Sequence, residues 1–197
     1  MARSQKFTTR SLLVCVVLGA FTAAFVHLSR VLGVMFWTTA PWLGAPAPIV
    51  PWYLMIIVAA LLVPRFGSAL ITGFIGAVVG VGTMALLAAI VIEAVFALFR
   101  AQARRSGAEV AVGARRTLWW AVIAGIAAGV MSYGFMFTVQ EFRVLDAGLM
   151  LVALAVRIVT GALFGWLAWL ITRGLFKAGF TVEASGSRRA TPAKAER

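Results

Sequence analysis

Few side chains in this sequence are suited to chemistry, and three of those are polar groups set inside long apolar runs. Arg157 lies in the middle of the run from Leu149 to Trp166. A charge at the centre of a membrane-spanning helix costs roughly 3 kcal/mol on insertion scales, so such a residue usually faces a protein interior or a wet cavity and is a functional candidate by default. Glu93 is an acidic residue deep in another run, and Tyr133 sits part-way along a third. Counted from Asp146, Gly82 and Glu141, these three lie about eleven, eleven and eight residues in, a depth of roughly 12–17 Å at 1.5 Å per residue. Polar groups at one depth on successive helices can converge, so the sequence predicts a Glu93–Arg157 ion pair. That pair either staples the fold or touches a polar ligand, with Tyr133, Trp37, Trp42 and Trp52 supplying aromatic surface. Glu141 and Asp146, in the connection before the last run, would suit a cationic group at the entrance to such a pocket.

Other chemistry is missing. There is no Walker motif, so ATP hydrolysis is not expected of this chain. There is no HExxH, no cysteine pair and no acidic cluster, so neither a metal nor another cofactor is expected. His27 is the single histidine and reads as a packed or interfacial residue rather than a ligand or a catalytic base. Cys15 is the single cysteine and cannot form an internal disulfide. These absences argue against an enzyme and for a binding subunit that takes its energy from partners.

The elements that must position these groups are membrane helices. The chain has 197 residues, 62% of them hydrophobic, with a mean hydropathy of +1.00. Apolar runs near or above eighteen residues recur, and alternating ten-residue strands do not, so the fold class is all-α and polytopic. The net charge of +12 comes largely from basic residues flanking apolar runs. Orientation and anionic lipid explain that charge better than nucleic acid does.

In order, residues 1–10 read as a basic cytoplasmic segment and 11–28 as a first span. A cleaved signal peptide is the alternative, but the run is long for one. Gly19, Ala20, Ala23 and Ala24 give this span a smooth face, either for packing within the chain or for a partner helix. Residues 31–51 carry no charge but do carry Pro41, Pro46, Pro48 and Pro51, and are expected to form a structured loop. That loop is either an interfacial aromatic belt or a lid over a pocket, with Trp37 or Trp42 for stacking. Further spans are expected at 51–63, 66–80, 83–99, 117–139 and 148–172. The long run after Pro64-Arg65 is broken at the glycines Gly76, Gly80 and Gly82. With that break, the arginines of residues 100–116 and the basic tail fall on the side of the amino terminus, as the positive-inside rule requires. The result is a six-helix membrane domain over residues 11–180, both termini cytoplasmic, with a disordered cytoplasmic tail at 183–197. In the last span, Gly161 and Gly165 permit a close helix approach.

Three blocks resemble a known family. Leu154-Ala155-Val156-Arg157-Ile158-Val159-Thr160-Gly161-Ala162-Leu163-Phe164 is similar to the Leu-Val-Arg-Leu-Val-Ser-Gly-Ala-Leu-Phe block of the YkoE-type S components of energy-coupling factor (ECF) transporters. Arg65-Phe66-Gly67-Ser68-Ala69-Leu70 is similar to that group's Lys-Pro-Gly-Ala-Ala-Leu, and Glu93-Ala94-Val95-Phe96-Ala97 to its Glu-Ala-Ala-Phe-Ala. The resemblance covers roughly residues 11–180. It implies a six-helix substrate-binding subunit in the cell membrane that captures thiamine or its hydroxymethylpyrimidine precursor at the outer face. The loop after the first helix would cap the pocket. It also implies partners, a transmembrane coupling protein and cytoplasmic ABC ATPases, with Ala20 and Ala24 the candidates to meet the coupling protein. The chain departs from the group's pattern at Gly73 and Gly80, where the pattern has acidic residues, and near Ala88, where it has a glutamine. Alternatives to this reading are an S component for another small vitamin or metabolite, and a membrane scaffold with no ligand.

Overall fold

A computed structural model describes residues 7–44, 46–80, 82–106 and 115–180. The described residues form helices α1 (Thr9–Thr39), α2 (Leu54–Leu62), α3 (Ser68–Val79), α4 (Thr83–Arg105), α5 (Arg115–Met136), the single turn α6 (Gln140–Arg143) and α7 (Ala147–Lys177). A short 3-10 turn, Pro41–Leu43, follows α1. Among the described residues α1, α4, α5 and α7 are long and apolar enough to cross a membrane. The broad bands of exposed Leu, Val, Ile and Phe on these helices are what a lipid-facing surface requires. The protein is membrane-embedded, and its described residues form helices joined by turns and loops without strands.

Two expected spans are shorter than a membrane is thick. Helix α2 has nine residues, about 13 Å, and α3 has twelve, about 18 Å. Helix α2 is not a lipid-facing element at all. Eight of its nine residues are buried, and it touches α1, α3, α4, α5 and α7. Its composition is apolar on every side, as a helix enclosed by other helices must be. The remaining helices form a wall around it in which α1 packs on α3, α3 on α4, α4 on α5 and α5 on α7.

Helix α1 runs eleven residues past the expected end of the first span, through Val31 to Thr39. The prolines begin only at Pro41, and nothing before them stops a helix. Ala40, held at φ −149° and ψ 74°, is where the residue before a proline is pushed out of the helical region. The connecting loop is therefore residues 40–53, and it folds inward. Pro46, Ala47, Pro48, Val50, Trp52 and Tyr53 are buried, and they fill the space above the short helix α2. Helix α4 continues through Arg105, and α7 through Lys177. The tail at 183–197 and most of residues 1–10 lie outside the described residues.

One end of the bundle, the basic face, gathers Arg10, Arg65, Arg104, Arg105, Arg116, Arg173 and Lys177, with Arg100 one turn inside it. Several of these are anchored by ring contacts, Arg10 over Phe180, Arg65 over Phe7 and Arg116 over Phe99. The other end, the loop face, carries residues 40–53 and α6.

The turn joining α3 and α4 does not reach the loop face. Gly80 lies against Ala23 and Val26 of α1, and Gly82 lies against Val26. Helix α1 then continues thirteen residues to Thr39, about 20 Å further. The short hairpin leaves a recess beside the outer half of α1, and the 40–53 loop leans into it.

The closest packing joins α5 and α7. A Cβ at Gly125 or Gly129 would run into the carbonyl oxygens of Gly161 and Arg157, and one at Gly165 into that of Ala121. The two backbones meet directly, which is the arrangement that small residues at helical spacing allow in a membrane.

Candidate functional site

The recess is not closed. A cavity of about 330 Å³ remains between the second half of α1, the loop, the α3–α4 turn and the last turn of α5. Val26, Ser29, Arg30, Pro46, Trp52, Met84 and Phe135 are among its lining residues, together with Gly82 and Thr83. That volume lies at the lower end of the range for small-molecule sites, which are mostly apolar with a few placed polar groups. Ser29 donates to the carbonyl of Ala47 at 3.5 Å, joining α1 to the loop at the cavity wall. Trp52 is 1% exposed, its indole N–H has no partner, and its ring stands edge-on to Tyr53 at 4.9 Å.

Arg157 lies beside this cavity rather than in its lining. Gly129 lets α5 pass against the backbone of Arg157, and the side chain reaches Ser132 one turn further along α5. Ser132 and Phe135, three residues apart on that helix, face the guanidinium and the cavity respectively. The Arg157 Nε donates to Ser132 Oγ at 3.4 Å, and Nη1 donates to the carbonyls of Trp42 at 3.2 Å and Ala153 at 3.4 Å. The bond to Trp42 ties the loop to the bundle. Nη2 is buried without a partner, and the residue is 1% exposed. Around it stands a second apolar cluster in which Tyr133, Phe142, Trp37 and Trp42 pack with Met136 and Ala153. Tyr133 meets Phe137 and Phe142 edge-on at 5.3 and 5.6 Å.

The expected Glu93–Arg157 pair does not form. The Glu93 carboxylate accepts from the backbone N–H of Ala69 at 3.1 Å and pairs with Arg100 on its own helix. Ala69 is in the first turn of α3, and the N-cap residue Gly67 supplies no side-chain cap. Glu93 fills that role, placing negative charge where the helix dipole favours it. The depth count failed because it began at Gly82, and Gly82 is about 20 Å short of the end of α1 rather than at the loop face. Helices α2 and α5 stand between α4 and α7. Glu93 thus fastens α3 to α4 near the basic face. Glu93→Gln leaves the Arg100 charge part-buried and unpaired, so a loss of about 3 kcal/mol in stability is expected, with ligand affinity unchanged. Thermal unfolding and titration of the same purified variant check both halves.

The other expected residues separate. Trp42, Tyr133 and Trp37 gather at Arg157, and Trp52 lines the cavity. Trp37 is in the last turn of α1, stacked near Gly44, not in the loop. Glu141 is exposed on α6. The Asp146 carboxylate accepts from Gly148 N at 2.7 Å and caps α7. On α1 the small residues split. Gly19 and Ala23 are buried against Ile75 of α3 and Gly80 just after it, inside the chain, whereas Ala20 and Ala24 are exposed. The lining residues Val26, Ser29, Arg30, Met84 and Phe135 were not expected. Arg30 falls just beyond the expected end of the first span at residue 28. Its signal was the uncharged, proline-free stretch after it, which lets α1 continue and sets this arginine within the helix.

No protein-family model matches the sequence, and no curated protein matches it. Among solved structures, the chain matches a crystal structure of an S-component of an ECF transporter with a TM-score of 0.65. Identity is 25%, and the match covers 88% of each chain. The chain has the fold of an ECF-transporter S component, and that fold supports a substrate-binding transport subunit.

Proposed function

We propose that this chain is the S component of an ECF-type importer in the cell membrane. Its ligand is thiamine or the hydroxymethylpyrimidine precursor, held in the cavity beneath the 40–53 loop. The observation that carries this reading is the cavity itself, open and aromatic-walled in a chain whose fold is that of a substrate-binding subunit. A scaffold protein would have filled this space with its own side chains. The aromatic surface of Trp52 and Phe135 suits a planar heterocycle, and the loop hooked to Arg157 through Trp42 suits a cap.

The arginines and lysine gathered at one end support an orientation with that end, and both termini, in the cytoplasm. Six membrane helices then follow, α2 and α3 being short spans sheltered by the others. A transmembrane coupling protein and cytoplasmic ABC ATPases supply the energy. Ala20 and Ala24 offer the coupling protein a smooth strip on the exposed face of α1.

Calorimetric titration of the purified protein with thiamine and with hydroxymethylpyrimidine tests the reading. One of the two is expected to bind in the micromolar range or tighter, about 8 kcal/mol or more. Absence of both heat and thermal protection with either compound overturns the pyrimidine assignment. A second reading, an S component for a different small metabolite, draws on Gly73 and Gly80. These sit where the resembling group carries acids, and both back directly onto neighbouring helices, at Ala89 and Ala23.

A further inference from the structure

Helices α4, α5 and α7 stand side by side at the basic face, with α5 in the middle. Each presents an exposed apolar side chain to lipid and, further out on the same face, an exposed arginine. The pairs are Leu98 and Arg105 on α4, Trp119 and Arg115 on α5, and Trp166 and Arg173 on α7. Separations of four and seven residues keep two side chains on one face of a helix. The three arginines also share a depth. Phe99 of α4 meets Trp120 of α5 ring to ring at 5.3 Å, and Gly165 of α7 backs onto Ala121 of α5. Counting outward from those contacts puts Arg105, Arg115 and Arg173 within about one turn, roughly 5 Å. None of the three belongs to the ion pair described at this end, which joins Glu93 to Arg100. Arg173 lies over the Trp169 ring at 5.2 Å, a stacking that leaves the edge donors of the guanidinium available. Arg116 is engaged within the chain, over Phe99 and with Ser106 Oγ at 3.2 Å.

We propose that Arg105, Arg115 and Arg173 form a binding site for the phosphate of an anionic phospholipid, separate from the cavity under the loop. A guanidinium meets phosphate through two parallel donors, and three at one level surround the headgroup position. Tryptophans one to two turns inside mark that level, because indole rings settle where hydrocarbon gives way to headgroups. The acyl chains would then lie along the exposed Leu98, Trp119 and Trp166. A soluble acidic segment would meet the arginines but leave this apolar surface uncovered, so a lipid is the partner that satisfies both parts. A phosphate among three like charges also relieves their repulsion, and so ties the ends of α4, α5 and α7 together. Each basic group near a membrane surface is worth roughly fivefold in attraction for an acidic lipid, so the row is expected to select one.

The test uses the full chain in bilayers of phosphatidylcholine with a minor share of phosphatidylglycerol. Lipid that stays with the protein on extraction into mild detergent is measured by mass spectrometry. It is expected to be enriched in phosphatidylglycerol at least about fivefold over the bilayer. The triple variant Arg105→Gln, Arg115→Gln, Arg173→Gln is expected to return that ratio to the bulk value. Arg115→Gln alone is expected to lose part of the enrichment. Arg143→Gln, which removes the same charge from the exposed turn α6 at the loop face, is expected to lose none. A second measurement leaves the arginines intact, and it decides if the triple variant does not fold. Bromine-labelled phosphatidylglycerol is expected to quench Trp119 more than bromine-labelled phosphatidylcholine, read as the difference between the native chain and Trp119→Phe. The site is overturned if the native chain shows no enrichment or the triple variant keeps it. Equal losses in Arg115→Gln and Arg143→Gln, or equal quenching by the two lipids, overturn it as well. Each of these outcomes leaves the transport reading standing, because that reading rests on the cavity.

Discussion

Arg157→Met is expected to lower ligand affinity by roughly 10- to 100-fold while the unfolding temperature moves by no more than a few degrees. The two halves follow from opposing terms of similar size. Burying the guanidinium costs several kcal/mol, whether counted as insertion of a charge at mid-membrane depth or as desolvation. Against that stand three hydrogen bonds from a charged donor, each worth about 1.5–3 kcal/mol, and all at 3.2–3.4 Å, the long end of the range. Methionine fills a similar volume, gives up both terms, and leaves the carbonyl of Ala153 within its helix. The net change in folding free energy is therefore small. Ligand binding has no such cancellation. The loop loses its tie at the Trp42 carbonyl, so the cap over the cavity is no longer held in place. A methionine variant that unfolds many degrees lower yet binds normally would make Arg157 a structural staple and nothing more. Calorimetry and scanning fluorimetry on one preparation separate these outcomes.

Arg157 was legible because a charge inside an apolar run has few bland explanations, and the aromatic company of Tyr133, Trp37 and Trp42 was legible with it. Glu93 was equally conspicuous, and its partner was wrong. Its depth depended on where the α3–α4 turn sits, and that is fixed by packing of Gly80 and Gly82 on Val26, which no residue count reveals. The same recess that displaced Glu93 creates the cavity, so one unreadable fact cost both the pair and the lining residues. Helix α1 was cut short for another reason. Its segment 31–39 looks like loop because it carries Phe36 and Trp37 and runs into prolines, although the helix-ending signal lies only at Pro41. Helix α2 has the composition of an ordinary lipid-facing span, apolar throughout. That composition fits burial in protein as well as burial in lipid, and length alone distinguishes them.

The second large effect concerns the support beneath the site. Gly161 was visible as half of a small-residue pair with Gly165, and Gly125 and Gly129 of α5 carry the same four-residue spacing, Gly125 meeting Gly161 and Gly129 meeting Arg157. Gly161→Val is expected to destabilise the protein by about 2–4 kcal/mol or to abolish the folded monodisperse species. A Cβ at Gly161 would meet the backbone carbonyl of Gly125 at 2.5 Å and the Cα of Ile126 at 3.1 Å. These are main-chain atoms of an intact helix, so no side-chain rotation relieves the overlap, and α5 must move away along several turns. In a bilayer little hydrophobic force holds the two helices together once close packing is lost, because lipid tails solvate the freed faces equally well. Gly134→Ala and Gly174→Ala are the matched controls. Both glycines are in or beside helices, and a Cβ at either would meet nothing within 4 Å. Each control is expected to be neutral or to stabilise by up to about 1 kcal/mol through helix propensity. Separation of α5 from α7 would also carry Ser132 away from Arg157, since the one is three residues past Gly129 and the other lies against it. Ligand binding should therefore fall with the α5–α7 contact even in a milder variant, Gly161→Ala, that still folds. Equal stability of Gly161→Val and Gly134→Ala would mean that the two backbones do not meet, and the seat of Arg157 would have to be built in some other way.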